Sequence, residues 1–289
     1  MSLCEDRVVI VTGAGRGIGR AHALAFAAAG ARVVVNDLSV GPAAEVASLI
    51  GPRAVVNTDD IGTWAGAARV VDAAVSTFGG LDVLVNNAGI VRDRMIVSCG
   101  EDEFDEVVRV HLKGHFALLR HAGAHWRAVH KAGGRVSGRV INTSSGAGLF
   151  GSVGQANYSA AKAGIAAMTL VGAAELARYG VTVNAIAPAA RTRMTEATFA
   201  STMAAPEDGF DAMAPENISP LVVWLGSAEA GDVTGRMFEV DGGRICVAHG
   251  WQRGPEVDKG SRWSPDELGE VVRKLVADDH PVPVYGAAQ

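Results

Sequence analysis

The stretch "VVIVTGAGRGIGRAHALAFAAAG", residues 8–30, decides the fold. A run of β-branched residues leads into a turn with Gly13, Gly17 and Gly19, and an alanine-rich segment of helix length follows. Glycines at such a turn allow a tight bend, close approach of the backbone to a pyrophosphate, and close packing of helix on strand. A glycine pattern alone is weak evidence for a dinucleotide-binding turn, but this pattern lies between a predicted strand and a predicted helix, as such a turn requires. We therefore predict a dinucleotide-binding βα unit rather than a merely tight turn.

The same alternation of strands and helices continues along most of the chain. Strand-like segments are apolar on both faces, as in a parallel sheet that helices cover, and lie at 7–12, 31–37, 53–57, 81–87, 138–144, 181–188 and 236–243. Helix-length segments lie near 17–29, 42–50, 63–78, 101–130, 155–179 and 216–227. This order predicts an α/β protein with a Rossmann-type doubly wound parallel sheet of about seven strands, in a single domain with a C-terminal helical extension.

Two regions depart from this alternation. Residues 192–215 mix Met, Phe, Gly and Pro, and we predict a mobile lid over the substrate there. Residues 244–289 follow the catalytic domain of residues 1–243, and we expect them to pack on that domain or on a partner subunit. Within them, Ser264, Pro265 and Glu267 form a capping-box pattern, which predicts a helix of about three turns.

Composition narrows the class of protein. The 289 residues carry a net charge of −5, which gives no basic surface for nucleic acid. The three cysteines, Cys4, Cys99 and Cys246, lack C-x-x-C spacing, so we expect neither a disulfide framework nor a zinc site, and a reducing cytoplasm is favoured. The N-terminal residues show no signal-peptide pattern, and no apolar run predicts a membrane span.

An acidic residue after the second strand bears on the choice of cofactor. Asp37 lies eighteen residues beyond Gly19, where a carboxylate accepts hydrogen bonds from the ribose hydroxyls of NAD and repels a 2′-phosphate. Arg16 is a counter-argument, because a guanidinium attracts that phosphate, and Asp37 is alternatively a turn or cap residue. Residues after the third and fourth strands are expected near the adenine and the cofactor cleft: Asp59, Asp60, Ile61 and Asn87.

Two large polar side chains interrupt a small-residue helix in "GQANYSAAKAGI", residues 154–165. Tyr158 and Lys162 are four residues apart and share one helix face, and Ser145 precedes Tyr158 by thirteen residues. In isolation, such a pair is more often a buried tyrosine beside a lysine. Together with the TGxxxGxG turn and "NNAG" at 86–89, the pattern resembles the short-chain dehydrogenase/reductase family over residues 7 to about 243.

The resemblance implies a role for each of the three residues. Tyr158 is the expected general acid/base, Lys162 lowers its pKa and holds the nicotinamide ribose, and Ser145 binds the substrate oxygen. Lowering a phenol pKa from 10 to neutrality takes about 4 kcal/mol, which a nearby ammonium supplies in a partly screened site. The resemblance also implies a set of cofactor contacts: Gly13, Arg16, Gly17, Ile18, Gly19, Ala88, Gly89, Tyr158, Lys162, Pro188, Thr192 and Met194.

One position departs from the general family pattern. Where that pattern has an asparagine that anchors a water chain to the lysine, "VRVHLKGHF" places His111. His111 either supports the proton relay or only fills the helix packing, and we carry it as a candidate catalytic residue. The spacing of His111 and His115 also suits a metal pair, but no third ligand accompanies them and we expect no metal.

A set of longer segments, including "VVVNDL", "NNAGIVRDR", "PENISPLVVWL" and "FEVDGG", resembles one branch of the family. This branch contains the (3R)-hydroxyacyl-CoA dehydrogenase unit of the peroxisomal multifunctional enzyme type 2, also described as a 17β-hydroxysteroid dehydrogenase, and its bacterial relatives. It implies an NAD-dependent oxidoreductase that interconverts a 3-hydroxyacyl thioester and its 3-oxoacyl form. Like the histidine at 111, Ala189 in place of the glycine that much of the family has agrees with this branch. A shorter segment after "NDL" weakens the transfer of substrate details.

Alternatives remain within and outside this class. A 3-oxoacyl-carrier-protein reductase and a hydroxysteroid dehydrogenase use the same site chemistry, and a nucleotide-sensing module uses the same fold without catalysis. The presence of Ser145, Tyr158 and Lys162 together favours an enzyme. The resemblance further implies a small-molecule acyl thioester or sterol-type substrate, no membrane or nucleic-acid partner, and a homodimer or homotetramer.

Overall fold

A computed structural model describes residues 2–192, 204–279 and 284–285. Its parallel strands form where the β-branched runs predict them. Their bounds are Val8–Thr12 (β1), Arg32–Asn36 (β2), Ala54–Asn57 (β3), Val83–Asn86 (β4), Gly138–Thr143 (β5), Val181–Ala189 (β6) and Met237–Asp241 (β7). These strands lie in the order β3-β2-β1-β4-β5-β6-β7, so the chain winds outward in both directions from β1. The predicted α/β fold with a doubly wound parallel sheet is confirmed.

An eighth strand, Arg244–Ala248 (β8), extends the sheet and was not predicted. It pairs antiparallel with β7, with Asp241 opposite Arg244, so only Gly242 and Gly243 separate the two strands. Gly242 has a φ of +53°, the conformation that tight hairpin turns require. The predicted sheet ends at this glycine pair, whereas in the structure the pair reverses the chain and the sheet continues with β8.

The helices cover both faces of the sheet. Their bounds are Gly17–Ala28 (α1), Val40–Ile50 (α2), Trp64–Phe78 (α3), Glu101–Val108 (α4), Gly114–Lys131 (α5), Gly146–Phe150 (α6), Ala156–Leu176 (α7), Ser219–Leu225 (α8) and Leu268–Ala277 (α9). The helix predicted for residues 101–130 is interrupted by a π-helical turn at Arg109–Lys113, which carries His111. Such turns occur inside α-helices and are frequent at functional sites.

Two apolar layers hold the helices to the sheet. Phe26 of α1 is fully buried on one face, together with apolar residues of α8. On the other face, the Trp126 side chain is 2% exposed and its indole N–H donates to the carbonyl of Leu81 at 2.6 Å. Because both faces are covered, strands such as β1 are buried at every position, which explains their unbroken apolar sequence.

The C-terminal extension forms the predicted helix. The Ser264 amide donates to the Glu267 carboxylate at 2.8 Å in a capping box, and a short 3-10 turn leads into α9. The apolar side chains of Leu268, Val272 and Val276 on α9 are exposed. Met194 and residues 193–203 of the predicted lid lie outside the described residues.

Among the described helices, one segment, Ala156–Tyr179, is long and apolar enough to cross a membrane by length and composition. The same segment contacts β5 and β6, and its Lys162 is 2% exposed. The helix therefore packs against the sheet, as a core helix of a globular domain does.

Candidate active site

The carboxyl ends of the parallel strands meet at one edge of the sheet, and the glycine turn lies there. Gly13 and Gly17 have φ values of +63° and +52°, in the left-handed region that favours glycine. A Cβ on Gly19 would lie 2.1 Å from the Gly13 carbonyl oxygen, so α1 reaches β1 only because residue 19 is glycine. The turn thus has the conformation that the sequence predicts.

The turn leaves the N-terminus of α1 accessible to an anion. In the described part of the chain, the Arg16 side chain makes no capping hydrogen bond to α1, and no acidic residue occupies the first turn. Backbone N–H groups at such a terminus bind phosphate. Thr192 lies across this opening, since its Cγ2 is 3.5 Å from where a Gly17 Cβ would stand. The residues present therefore fit the pyrophosphate of a dinucleotide.

Thr12 and Asn87 brace the turn from below. The Thr12 hydroxyl accepts the amides of Asn87 and Ala88 at 3.0 and 3.1 Å, and the Asn87 side-chain amide donates to the Thr12 carbonyl at 2.9 Å. Through this bond Asn87 helps to fix the shape of the glycine turn. Its place at the cofactor cleft stays a prediction. Thr12 was not singled out, although it is the first residue of the TGxxxGxG pattern.

Asp37 lies directly beneath the turn at the end of β2. One carboxylate oxygen accepts the Gly15 amide at 3.0 Å and the other accepts the Ser39 amide at 2.8 Å. Arg16 donates weakly to the Ser39 hydroxyl at 3.4 Å. Asp37 therefore stabilises the turn and also places a negative charge beside it. Each of its carboxylate oxygens keeps a further lone pair for another hydrogen-bond donor.

The residues after β3 are engaged in protein contacts. Asp59 accepts a hydrogen bond from Arg69 at 2.6 Å, and Asp60 pairs with Arg109 of the π-helical turn at 2.7 Å. Ile61 is 5% exposed, and its Cδ1 would lie 3.1 Å from a Cβ on Gly114. Asp60 and the buried Ile61 side chain thus connect the loop after β3 to the helix that carries His111, whereas Asp59 connects the same loop to α3.

Ser145 and Tyr158 come together through two adjoining helices. Ser145 is the N-cap of α6, and its hydroxyl accepts the Ala147 amide at 3.2 Å. A Cβ on Gly148 would lie 2.7 Å from Lys162 Cβ, so α6 packs directly against α7 at Lys162. This packing places the Ser145 hydroxyl close enough to the Tyr158 phenol to affect its pKa.

Lys162 is buried with a carbonyl partner. Its Nζ donates to the Thr143 carbonyl at 2.7 Å and lies 5.4 Å from the centroid of the Tyr158 ring. Burial lowers the pKa of Lys162 to about 7. Thr143 and Ser144, whose hydroxyl donates to the Lys162 carbonyl at 2.8 Å, were not predicted as site residues. Only their position just before Ser145 could have indicated them.

The pKa of Tyr158 differs from the expected direction. Burial raises the phenol pKa above its usual value of 10, the hydrogen bond with Ser145 lowers it, and the charge of Asp93 raises it. Burial has the largest effect and the net shift is upward. The predicted lowering by Lys162 is therefore wrong for the chain alone, because the same burial that raises the tyrosine pKa also lowers that of the lysine.

His111 lies between the catalytic tyrosine and the loop after β4. Its Nε2 is 2.7 Å from the Ile90 carbonyl oxygen and 3.0 Å from the Ile90 amide nitrogen. A Cβ on Gly89 would lie 2.3 Å from His111 Cε1, so residue 89 must be small. Burial first, and then the charge of Lys162, hold the pKa of His111 well below its usual range, which keeps the ring neutral.

A second buried imidazole, His115, lies one helical turn from His111. The ring centroids are 6.5 Å apart, and His115 is 0% exposed. In the described residues, no group of three His, Cys, Asp or Glu side chains is placed to hold a metal ion. Burial first, and then the charge of Lys162, lower the pKa of His115, as they do for His111.

The remaining predicted cofactor contacts surround the same edge of the sheet. Ile18 packs on the apolar layer at the start of α1, and Pro188 pairs with Val240 near the end of β6. A cavity of about 400 Å³ opens at the loop between α6 and α7 and the first turn of α7. Its lining is mainly apolar and consists of Met95, Ile96, Val97, Gly151, Ser152, Val153, Gly154, Ala156, Ser159 and Val284.

The fold and the glycine turn define a dinucleotide-binding protein of the oxidoreductase class, and Ser145, Tyr158 and Lys162 lie together in it. The chain belongs to the short chain dehydrogenase family, whose family model matches residues 7–202. It is therefore an oxidoreductase that acts on a CH–OH group, and members of the family use a nicotinamide dinucleotide.

Individual relatives narrow the branch. The chain is 43% identical to the hydroxyacyl-CoA dehydrogenase ChsB1 of Mycobacterium tuberculosis, over 98% of this chain and 92% of that protein. It is 39% identical to the peroxisomal multifunctional enzyme type 2 of Mus musculus, over 93% of this chain but only 34% of that protein. A crystal structure of a short chain dehydrogenase from Mycobacterium avium is 64% identical with a TM-score of 0.92, covering 99% of this chain and 100% of that one.

Proposed function

We propose that this chain is an NAD-dependent dehydrogenase of 3-hydroxyacyl thioesters, with (3R)-hydroxyacyl-CoA as the substrate class. The observation that carries the proposal is an apolar cavity lined by Ala156 and Ser159, which flank Tyr158 in the first turn of α7. A cavity of that size and lining suits an acyl chain whose hydroxyl faces the tyrosine. The similarity to a hydroxyacyl-CoA dehydrogenase over nearly the whole chain supports the same substrate class.

Each member of the trio has a distinct task in this reaction. The bound nicotinamide supplies the acceptor for a hydride from the hydroxyl-bearing carbon. The Ser145 hydroxyl binds the substrate oxygen and holds it near Tyr158, whose phenolate oxygen takes the hydroxyl proton. Lys162, fixed by the Thr143 carbonyl, holds the ribose hydroxyls and favours the ionised tyrosine when its amine is protonated.

Asp37 supports NAD over NADP as the partner. Its carboxylate lies at the end of β2 and accepts the Gly15 amide, so a 2′-phosphate near this turn would meet a negative charge. Arg16 opposes this preference only weakly, because its side chain extends toward the exposed Ser39 hydroxyl. Comparison of initial rates with the two cofactors tests this part of the proposal.

The decisive experiment is an activity screen of the purified chain. Initial rates are measured with NAD⁺ and NADP⁺ against 3-hydroxyacyl-CoA thioesters of both configurations, acyl-carrier-protein esters and hydroxysteroids. We expect the highest kcat/KM for (3R)-hydroxyacyl-CoA with NAD⁺. A preference for acyl-carrier-protein esters with NADP⁺, or for free hydroxysteroids, contradicts the proposal, as does NAD binding without turnover of any alcohol.

The assembly proposed for this enzyme is a homodimer or homotetramer in the cytoplasm. Leu170 and Val171 on α7 are 59% and 54% exposed, and Phe116 of α5 is 49% exposed. Helices α5 and α7 pack on the same face of the sheet, so these side chains are available to a second copy of the chain. Large exposed apolar side chains on neighbouring helices favour such an interface.

A further inference from the structure

The strongest unassigned feature is a short C-terminal segment that lies against the active site. Tyr285 forms a parallel bridge with Ser152, far from it in sequence. The Val153 amide donates to the Tyr285 carbonyl at 2.9 Å, and the Tyr285 amide donates to the Gly151 carbonyl at 3.2 Å. Residues 284–285 are therefore attached by backbone hydrogen bonds to the loop between α6 and α7.

The side chain of Tyr285 covers the residue that follows Ser145. A Cβ on Gly146 would lie 2.8 Å from Tyr285 Cε2 and 2.9 Å from its hydroxyl oxygen. The ring also stacks edge-on against Phe150, with centroids 5.7 Å apart. Glycine at position 146 thus leaves room for the aromatic ring directly beside the catalytic serine.

Charged side chains on the last two strands act on the phenol of Tyr285. Burial raises the pKa of that phenol, with a further rise from the charge of Glu239 on β7 and a lowering by Arg244 on β8. The position of the segment itself follows from the backbone bonds to residues 151–153 and from the ring contacts with Gly146 and Phe150.

Val284 faces the apolar cavity at the first turn of α7. It lines that cavity together with Met95, Ile96 and Val97, and Val97 is 95% exposed at the rim. Its Cγ1 lies 3.6 Å from where a Gly151 Cβ would stand. The cavity therefore has the loop after β4 on one side and the C-terminal segment on the other.

We infer that Val284 forms the outer wall of the acyl site, that the Tyr285 ring beside Gly146 and Phe150 anchors it there, and that this anchored wall sets the preference for long apolar chains. The inference rests on the proposed function, because it places the apolar part of a 3-hydroxyacyl thioester between the two sides of the cavity. An apolar chain gains free energy by leaving water against such a wall, and a short chain reaches less of it.

Substrate length tests the inference. In Tyr285→Ala, the kcat/KM ratio of 3-hydroxydecanoyl-CoA to 3-hydroxybutanoyl-CoA is expected to fall about tenfold, a size typical of lost apolar contact in a substrate pocket. Trp251→Ala is the matched control, because Trp251 is 89% exposed and outside the cavity lining, and its ratio should stay at the unsubstituted value. An unchanged ratio in Tyr285→Ala overturns the inference.

A second variant tests the contact with Gly146 independently. Gly146→Ala introduces a methyl group that displaces the Tyr285 ring, so it should lower the same ratio. Added to Tyr285→Ala, the methyl group has no ring to displace, and the double variant should match Tyr285→Ala alone. Additive losses in the double variant contradict the inferred contact.

Amide exchange and binding separate this inference from the proposed function. Tyr285→Ala should speed hydrogen exchange at the Val153 amide and weaken the affinity for decanoyl-CoA more than for butanoyl-CoA by calorimetry. If the unsubstituted chain oxidises no 3-hydroxyacyl-CoA, the proposed function fails while these two measurements still test the wall. If the unsubstituted chain oxidises 3-hydroxyacyl-CoA and Tyr285→Ala changes neither amide exchange nor binding, the inferred wall is wrong and the proposed function stands.

Discussion

The imidazole of His111 lies edge-on against the phenol ring of Tyr158, with ring centroids 5.2 Å apart and ring planes at 89°. The same imidazole is bonded to Ile90 through Nε2 at 2.7 Å. His111 therefore connects Tyr158 to the loop after β4. Asn87, which is hydrogen-bonded to Thr12 below the glycine turn, lies at the start of the same loop. The π-helical turn that carries His111 places its side chain in this position.

Substitution of the catalytic tyrosine tests the assignment of the base. We expect Tyr158→Phe to lower kcat by at least about a hundredfold, because it removes the hydroxyl that takes the substrate proton. NAD affinity should stay nearly unchanged, since the ring remains against His111. Steady-state kinetics and NAD titration by fluorescence measure the two effects. Tyr179→Phe is the control, and turnover by Tyr158→Phe comparable with that control contradicts the assignment.

Removal of the His111 ring tests whether it takes part in the proton route. We expect His111→Ala to lower kcat about tenfold and to change the pH dependence of kcat, because Tyr158 and the Ile90 loop lose a shared contact. In the described residues, His111 Nδ1 is buried without a hydrogen-bond partner, which suits a water on the route. A pH–rate profile and turnover identical to those of the unsubstituted chain remove His111 from the mechanism.

The charge of Asp37 is separable from its support of the turn. Asp37→Ala is expected to raise KM for NAD⁺ about tenfold and to reduce the preference for NAD⁺ over NADP⁺, because a charged hydrogen-bond acceptor is lost. Asp37→Asn keeps one acceptor oxygen for the Gly15 amide without the negative charge, so it should narrow the preference with a smaller rise in KM. Unsubstituted chain that already prefers NADP⁺ would contradict the expected discrimination.

Acid should destabilise the fold through its buried histidines. Burial lowers the pKa of His115 to about 3, whereas an exposed histidine in the unfolded chain has a pKa of about 6.5. The unfolded chain therefore binds more protons between these values, and the free energy of unfolding falls as pH decreases through them, by about 1.4 kcal/mol per pH unit for each such residue.

Chemical denaturation of His115→Leu at several pH values measures this effect. The variant should lose part of the decline in unfolding free energy below about pH 6.5, and His22 and His111 should retain the rest. His249→Leu is the control, because His249 is exposed. A decline that is equal in both variants shows that His115 does not contribute to it.

The exposed face of α7 tests the proposed assembly. Val171→Glu is expected to shift the chain toward monomers in sedimentation experiments, because a buried unpaired carboxylate opposes subunit contact. Leu49→Glu on α2 is the control, since Leu49 is 59% exposed, close to the 54% of Val171, but α2 packs on the other face of the sheet. Dissociation by Leu49→Glu instead of Val171→Glu would place the interface elsewhere.

Much of the fold was predictable because local patterns report it. Apolar runs on both faces correspond to strands buried on both sides, and β1 to β7 form where those runs occur. The predicted strand at 236–243 ends in the Gly242 turn, but β8 was missed because its residues are exposed and show no buried face. The π-helical turn was missed because "VRVHLKGHF" continues the helical spacing of apolar residues without a break.

The candidate site was predictable in its residue types but not in its contacts. Ser145, Tyr158 and Lys162 were indicated by spacing, whereas the Lys162 bond to the Thr143 carbonyl depends on how α7 meets the end of β5. Likewise, the direction of the Tyr158 pKa depends on the depth of burial, which no spacing reports.

By itself, the sequence determined the alternation of strands and helices, the glycine turn and the helical pairing of Tyr158 with Lys162, because each of these depends on residues close together along the chain. Only the tertiary structure decided that His111 bonds to Ile90, that β8 extends the sheet, and that Tyr285 covers Gly146. The reason is physical: such contacts join segments whose proximity results from packing of the whole chain, and periodicity reports only which face of each segment is buried.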